Sequence, residues 1–321
     1  MNKILLKLKN DPEAVITENP IQNVIGQEDA KNKLAFFTMS HSEETPFPTL
    51  LLSGSQGLGK TYMSQKIADS LGRDMIEINC GSISSAKDFI EKIWLGQIFR
   101  EGDKPRTLLL DEAHKLSFEV TTLLLSFLNP NEENKNTVVY EDYAIEYNFH
   151  TTNIIFATTD AHMMFKPLLN RCTEIYFNQY TNDELFKILK MYIPDINIKC
   201  SKKEISDACR GRARDAFVLT QNIKRYCVMK KSNKLEKAGW DALKKLFGIY
   251  KLGLNSQEIN FLQILNKHAP VSAKNMAIKL GVNVNNIEEE LEIRPRELGL
   301  IQSTSRGRCL TDAGKKYLSS I

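Results

Sequence analysis

Gly54-Ser55-Gln56-Gly57-Leu58-Gly59-Lys60-Thr61 satisfies G-x-x-x-x-G-K-[ST], the spacing in which a glycine-rich turn feeds a helix. Its glycines let backbone N–H groups converge on phosphate oxygens, and the helix N-terminus adds a field that favours an anion. Lys60 is then placed to neutralise β- and γ-phosphates, and Thr61 to offer its hydroxyl to Mg2+. ATP with Mg2+ is the expected ligand pair, cradled by Gly54, Gly57, Leu58, Gly59, Lys60 and Thr61. Further on, Leu108-Leu109-Leu110-Asp111-Glu112 is an apolar strand ending in two acids. Asp111 would position the metal and Glu112 would polarise the attacking water. Alone, such a run reads equally as a strand end meeting solvent; the phosphate loop gives it meaning. Thr158-Thr159 ends another apolar strand, where a hydroxyl can sense the γ-phosphate and orient water. Arg171 and Arg214 are candidates for stabilising charge on a transferring phosphoryl group, although spacing alone also allows solvated surface residues.

Those side chains need a frame. Short apolar runs at 49–53, 75–79, 107–111 and 153–158 read as buried strands, with a helix over 60–71 after the first. Strands alternating with helices predict an α/β domain with a parallel sheet. Residues 137–147, rich in Val and Tyr, read as a β-hairpin inserted before the fourth strand. Helices are expected over 183–192, 202–210, 213–230 and 234–247, punctuated by Pro194 and Gly211. Beyond Gly253 the pattern is a helix (256–267), a break at Ala269-Pro270, a helix (272–280) ended by Gly281, and a helix from 286 towards 298. A strand at 300–303, a turn at 305–307, a last strand and a last helix complete a winged-helix outline. The division expected is a nucleotide-binding domain (1–177), a small all-α lid (178–252) and a C-terminal winged helix (253–321).

Composition removes other classes. The 321 residues are 42% hydrophobic and 26% charged, which is ordinary for a folded globular chain. No apolar run approaches the roughly 20 residues of a membrane span. The first ten residues interleave Lys3, Lys7 and Lys9 with Ile and Leu, so a secretory leader is not expected and a cytoplasmic protein is. Six cysteines lie at least nine positions apart, which excludes zinc-type spacing and points to reduced thiols. The net charge of +4 is uneven: −7 over 1–177, +8 over 178–250 and +3 over 251–321. A basic second half hints at a polyanionic partner.

With these pieces in place the chain resembles AAA+ ATPases, and within them the RuvB-type Holliday-junction branch-migration motors, from about residue 20 to 317. Ile25-Gly26-Gln27 resembles the segment that packs around adenine, which implies a nucleotide contact for Ile25. Asp111-Glu112-Ala113-His114-Lys115-Leu116-Ser117 resembles the family's D-E-x-H-[RK]-L-S run. The resemblance implies sensor 1 for Thr159, an arginine finger acting on the neighbouring subunit for Arg171, and sensor 2 for Arg214. Residues 292–308 align without a gap to E-P-Y-L-I-Q-x-G-[FL]-[IL]-Q-x-T-P-R-G-R, which implies a wing whose Arg306 and Arg308 meet the DNA backbone. It further implies a hexameric ring on double-stranded or junction DNA. The hairpin that docks a RuvA partner in the family is shorter and different at 136–147. Two other readings of a AAA+ chain stay open here: a DNA-binding switch of the initiator kind, and a clamp-loader subunit.

Overall fold

The computed structural model describes residues 20–98 and 104–321; the N-terminal stretch read above for a leader lies outside them. Two compact units span Met1–Tyr180 and Thr181–Ile321.

The first unit is built on β1 (Leu50–Ser53), β2 (Asp74–Asn79), β3 (Arg106–Asp111), β6 (Thr152–Thr158) and β7 (Thr173–Tyr176), in the order β2-β3-β6-β1-β7. Every pairing is parallel, as expected. The three inner strands are continuous apolar runs because helices cover both faces, and β1 and β6 are buried along their whole length. The edge strands alternate instead, which is why β7 (Thr-Glu-Ile-Tyr) gave no apolar signal and escapes the sequence reading. Helix α1 is Glu28–Ser40, α2 is Lys60–Leu71, α3 is Phe118–Phe127 and α4 is Lys166–Leu169. Between α2 and α3, Phe89–Ile98 winds as a π-helix and drives Phe89, Ile90 and Trp94 into the core.

The predicted hairpin is present as β4 (Lys135–Tyr140) and β5 (Tyr143–Asn148), joined at Glu141-Asp142. It is not a loose appendage. Tyr147 is fully buried, stacked on Phe127 at 5.9 Å between ring centroids and 5.7 Å from Trp94. Burying such rings contributes about 2–3 kcal/mol each, so the hairpin base is part of the domain core while Val139 near its tip stays exposed.

The second unit opens with α5 (Asn182–Tyr192), α6 (Lys202–Ala208), α7 (Ala213–Met229) and α8 (Lys237–Phe247). The expected helix start at 234 is corrected. Lys234–Leu235 forms β9 and pairs in parallel with β8 (Asn197–Ile198), because Leu235 is buried as a strand residue and Glu236 is extended. Helices α9 (Ser256–His268) and α10 (Ala273–Leu280) follow, then the hairpin of β10 (Ile301–Thr304) with β11 (Gly307–Leu310) and α11 (Asp312–Leu318). The expected helix over 286–298 is interrupted: Ile287–Leu291 is wound as a π-turn, closed by Glu292 N–H donating to the Ile287 carbonyl at 3.0 Å.

The middle residue of Arg306-Gly307-Arg308 has a packing reason. Gly307 has φ +132°, and a Cβ there would lie 2.5 Å from the Val271 carbonyl. That close approach lets Arg308 and Val271 exchange two backbone hydrogen bonds of 2.8 and 3.0 Å. Gly307→Ala is therefore expected to destabilise the second unit by roughly 2–4 kcal/mol. Urea unfolding followed by tryptophan fluorescence checks this, since Trp240 lies in this unit and Trp94 in the other; an unshifted Trp240 transition would contradict it. Among the described residues, no helix is long and apolar enough to cross a membrane.

Candidate nucleotide site and wing

The phosphate loop bridges β1 and α2 at the carboxyl end of the sheet. Gly54, Gly57 and Gly59 have φ of +141°, +81° and +92°, and a Cβ on Gly54 would sit 2.6 Å from the Phe177 carbonyl oxygen. Left-handed backbone at three positions turns successive N–H groups inward. Lys60 donates to the carbonyls of Gly54 (2.6 Å) and Ser55 (3.0 Å), and Tyr180 donates its hydroxyl to the Leu58 carbonyl at 3.0 Å. Thr61 follows in the first turn of α2.

Register sets the remaining groups beside this loop. Ser53 pairs with Thr158 and Asp111 with Ala157, so the ends of β1, β3 and β6 lie side by side. Asp111 Oδ1 accepts from the Glu112 N–H at 3.0 Å. Glu112 is left-handed (φ 55°), a conformation that turns its side chain out of the strand direction. His114, given no role from sequence, joins here beside Thr158, the neighbour of the Thr159 expected as sensor 1. His114 Nδ1 is 3.5 Å from Glu112 Oε2 and 2.9 Å from Thr158 Oγ1. The signal was the D-E-x-H spacing, read above only as part of a resemblance. Thr158 is fully buried, while Thr159 donates to Asp160 Oδ2 at 2.8 Å. Burial, reinforced by the Asp111 and Glu112 carboxylates, pushes the Cys80 thiol up to about 12, which leaves it unreactive beside this site.

Ile25 is half-buried in a segment tied down on both sides. Lys31 donates to the Val24 carbonyl at 2.8 Å, and the Gln27 side chain exchanges two hydrogen bonds with the Asn178 backbone, of 2.6 and 3.0 Å.

Arg171 is elsewhere. It precedes β7, whose Thr173 pairs with Leu50 at the start of β1, whereas Gly54 follows the end of that strand. Four strand residues, roughly 13 Å at about 3.3 Å each, separate its end of the sheet from the phosphate loop. Its guanidinium donates to the Pro167 carbonyl (3.1 Å) and Asn129 Oδ1 (3.4 Å). A surface cleft of about 480 Å³ lies beside it, lined in part by Asn129, Asn136 and Val139.

In the second unit Arg214 is exposed in the first turn of α7. Arg306 is exposed at the tip of the wing. Arg308, expected beside it as a DNA contact, is turned inward. It donates to Glu292 Oε2 and Glu288 Oε1, each at 2.7 Å, and only 16% of its side chain is exposed. The geometry supports a wing-fixing role for Arg308 and leaves Arg306 as the outward cation.

Residues 50–180 match the ATPase family associated with various cellular activities (AAA), and residues 251–319 match the RuvB C-terminal winged helix domain. One chain thus carries a AAA ATPase module and a RuvB-type C-terminal winged helix. It is similar to the Mycoplasma genitalium Holliday junction branch migration complex subunit RuvB, at 26% identity over 306 residues that cover 94% of this chain and 96% of that one. The same-named Orientia tsutsugamushi (strain Boryong) protein is 27% identical over 319 residues, covering 96% of both. A Thermotoga maritima RuvB point variant superposes with a TM-score of 0.77 at 23% identity, over 94% of this chain and 98% of that one, which supports the fold. The first unit is an ATP-binding and ATP-hydrolysing AAA module.

Proposed function

We propose that this chain is an ATP-driven motor that moves Holliday junctions or related branched duplex DNA. The observation that carries this is the separation of Arg171 from its own phosphate loop by the length of β1, in a chain that also bears a winged helix with an outward arginine. An arginine at the amino edge of the sheet serves an ATP site only in the next subunit, so assembly into a ring, hexameric in our reading, couples the sites. The curated relatives carry the name of a branch migration complex subunit, and the C-terminal match is to a winged helix rather than the helical collar of a clamp loader.

In this reading Lys60 neutralises the β- and γ-phosphates, Glu112 polarises the water, and Thr159 orients it. Ile25 packs on the base and Arg214 reports nucleotide state from the lid. Thr61 and Asp111 supply a hydroxyl and a carboxylate, a donor pair that suits Mg2+ completed by phosphate oxygens and water. The ion would supply charge neutralisation at the phosphates. The working parts are a motor domain (1–177), a lid (178–252) and a DNA-holding winged helix (253–321), in the cytoplasm, where six unpaired cysteines are at home. The hairpin β4–β5 is the surface we assign to a RuvA-like partner.

The test is ATP hydrolysis with four-way and linear duplex DNA. A motor is expected to be stimulated several-fold, more by the junction; a flat response places the chain with initiator-type switches. The wing arginines have their own prediction. Each DNA phosphate that a side chain neutralises contributes about 0.9 to the steepness of log K against log salt. Arg306→Ala should therefore flatten that slope, while Arg308→Ala destabilises the wing. An unchanged slope in a folded Arg306 variant removes that residue from the interface.

A further inference from the structure

The linker between the helical part and the winged helix of the second unit is pinned from both sides. From the helical side, Arg210 reaches Glu258 in the first turn of α9. Its Nη2 donates to Oε1 at 2.6 Å and its Nη1 to Oε2 at 3.0 Å. Glu258 is fully buried, and its Oε2 also accepts the Asn255 N–H at 2.8 Å, while Asn255 Oδ1 accepts the Glu258 N–H at 2.9 Å. One carboxylate therefore closes the helix cap and binds the arginine. Gly253 completes the joint: at φ +73°, a Cβ there would lie 2.2 Å from the Asp207 carbonyl oxygen, so the linker backbone lies directly on the end of α6. From the winged-helix side, Tyr317 donates its hydroxyl to the Lys251 carbonyl at 2.7 Å.

A linker that joined two independent bodies would be exposed and weakly bonded. This one carries a buried, two-pronged ion pair. Such a pair adds little net stability compared with an apolar substitute, but it tolerates only one geometry, and removing one partner strands a buried charge. We infer that the Arg210–Glu258 pair locks the helical part and the winged helix into one lever, making Arg210 a positioning residue for DNA movement. Arg210 and Arg214 flank one turn, Arg210-Gly211-Arg212-Ala213-Arg214. A shift of Arg214 with nucleotide state is thus delivered through Arg210 to α9 and the wing, instead of being absorbed in the linker. The lever rests on the motor reading for its purpose but not for its existence.

The experiment compares the full chain with the doubly neutral Arg210→Met/Glu258→Gln variant, in which glutamine still accepts the Asn255 N–H. Dyes at Lys224 on α7 and Lys279 on α10, introduced through non-natural residues, report the distance by single-molecule energy transfer. The wild-type distribution is expected to be narrow and that of the double variant at least twice as wide. ATP turnover should stay within twofold, while ATP consumed per base pair moved rises about tenfold. Arg210→Lys, which keeps the charge but not the fork, should restore an intermediate width, and it serves as the test if the double variant does not fold. A distribution as narrow as wild type in the double variant, or in Arg210→Lys should that be the one that folds, overturns the lever. If wild-type protein moves no DNA, the motor reading falls and the widths still decide the lever.

Discussion

Replacing Arg171 with alanine is expected to leave ATP affinity within about threefold and to lower turnover by roughly 1,000- to 100,000-fold, the range an arginine finger supplies. Affinity survives because Arg171 belongs to the end of the sheet where Thr173 meets Leu50, and the phosphate loop to the other end. In the proposed ring, turnover falls because the guanidinium would act where charge spreads over the γ-phosphoryl oxygens of a neighbour's ATP. Stability should change little: the side chain donates to Pro167 and Asn129 at 3.1 and 3.4 Å and is half-exposed. Mixing separates this from a local structural effect. Arg171→Ala subunits keep an intact phosphate loop, and Lys60→Ala subunits keep an intact finger. A mixture of these two inactive proteins should regain hydrolysis wherever a Lys60-defective subunit offers its arginine to an Arg171-defective neighbour. Normal turnover by the single variant, or no recovery on mixing, would sink the trans assignment.

What was legible in the sequence follows from how local each signal is. Phosphate binding needs glycines, a lysine and a hydroxyl within eight positions, so it is written in one motif, and the structure gives three of those glycines positive φ. Buried parallel strands are continuous apolar runs, which is why β1, β3 and β6 were read to within a residue. Edge strand β7 has one buried residue, Ile175, and no such run. The π-wound turns at Phe89–Ile98 and Ile287–Leu291 break the 3.6-residue period on which helix reading depends. β9 exists only because Leu235 finds β8 some forty positions earlier, a long-range contact that overrides helical propensity. The inward turn of Arg308 has the same origin: its carboxylate partners lie 16 and 20 positions back, on the winding before the wing. In sequence it is indistinguishable from Arg306. The Glu112–His114–Thr158 contact needed the parallel register of β3 and β6 to become visible.

That contact sharpens the second large prediction. Glu112→Gln is expected to bind ATP normally and to lower hydrolysis by roughly 100- to 10,000-fold, since an amide keeps the carboxylate's shape but cannot accept the proton of water. The backbone supports the comparison. Glu112 is held left-handed, with its N–H on Asp111 Oδ1 at 3.0 Å, a bond that does not involve the side chain and persists in the glutamine variant. Asp111→Asn acts on both quantities, because it weakens the metal-holding carboxylate and the acceptor that fixes Glu112. Filter binding of labelled ATP beside steady-state hydrolysis tells them apart: unchanged binding with abolished turnover for Glu112→Gln, and both lowered for Asp111→Asn. Equal drops in binding and turnover in the glutamine variant would make Glu112 a structural strand end, which is the reading its sequence alone allowed. His114 is the side chain next to that carboxylate, and Thr158 is next to His114. His114 Nδ1 lies 2.9 Å from Thr158 Oγ1 and 3.5 Å from Glu112 Oε2, so one ring spans the end of β6 and the acid proposed to activate water. In the proposed mechanism, a γ-phosphate drawn against that strand end would reach Glu112 through His114.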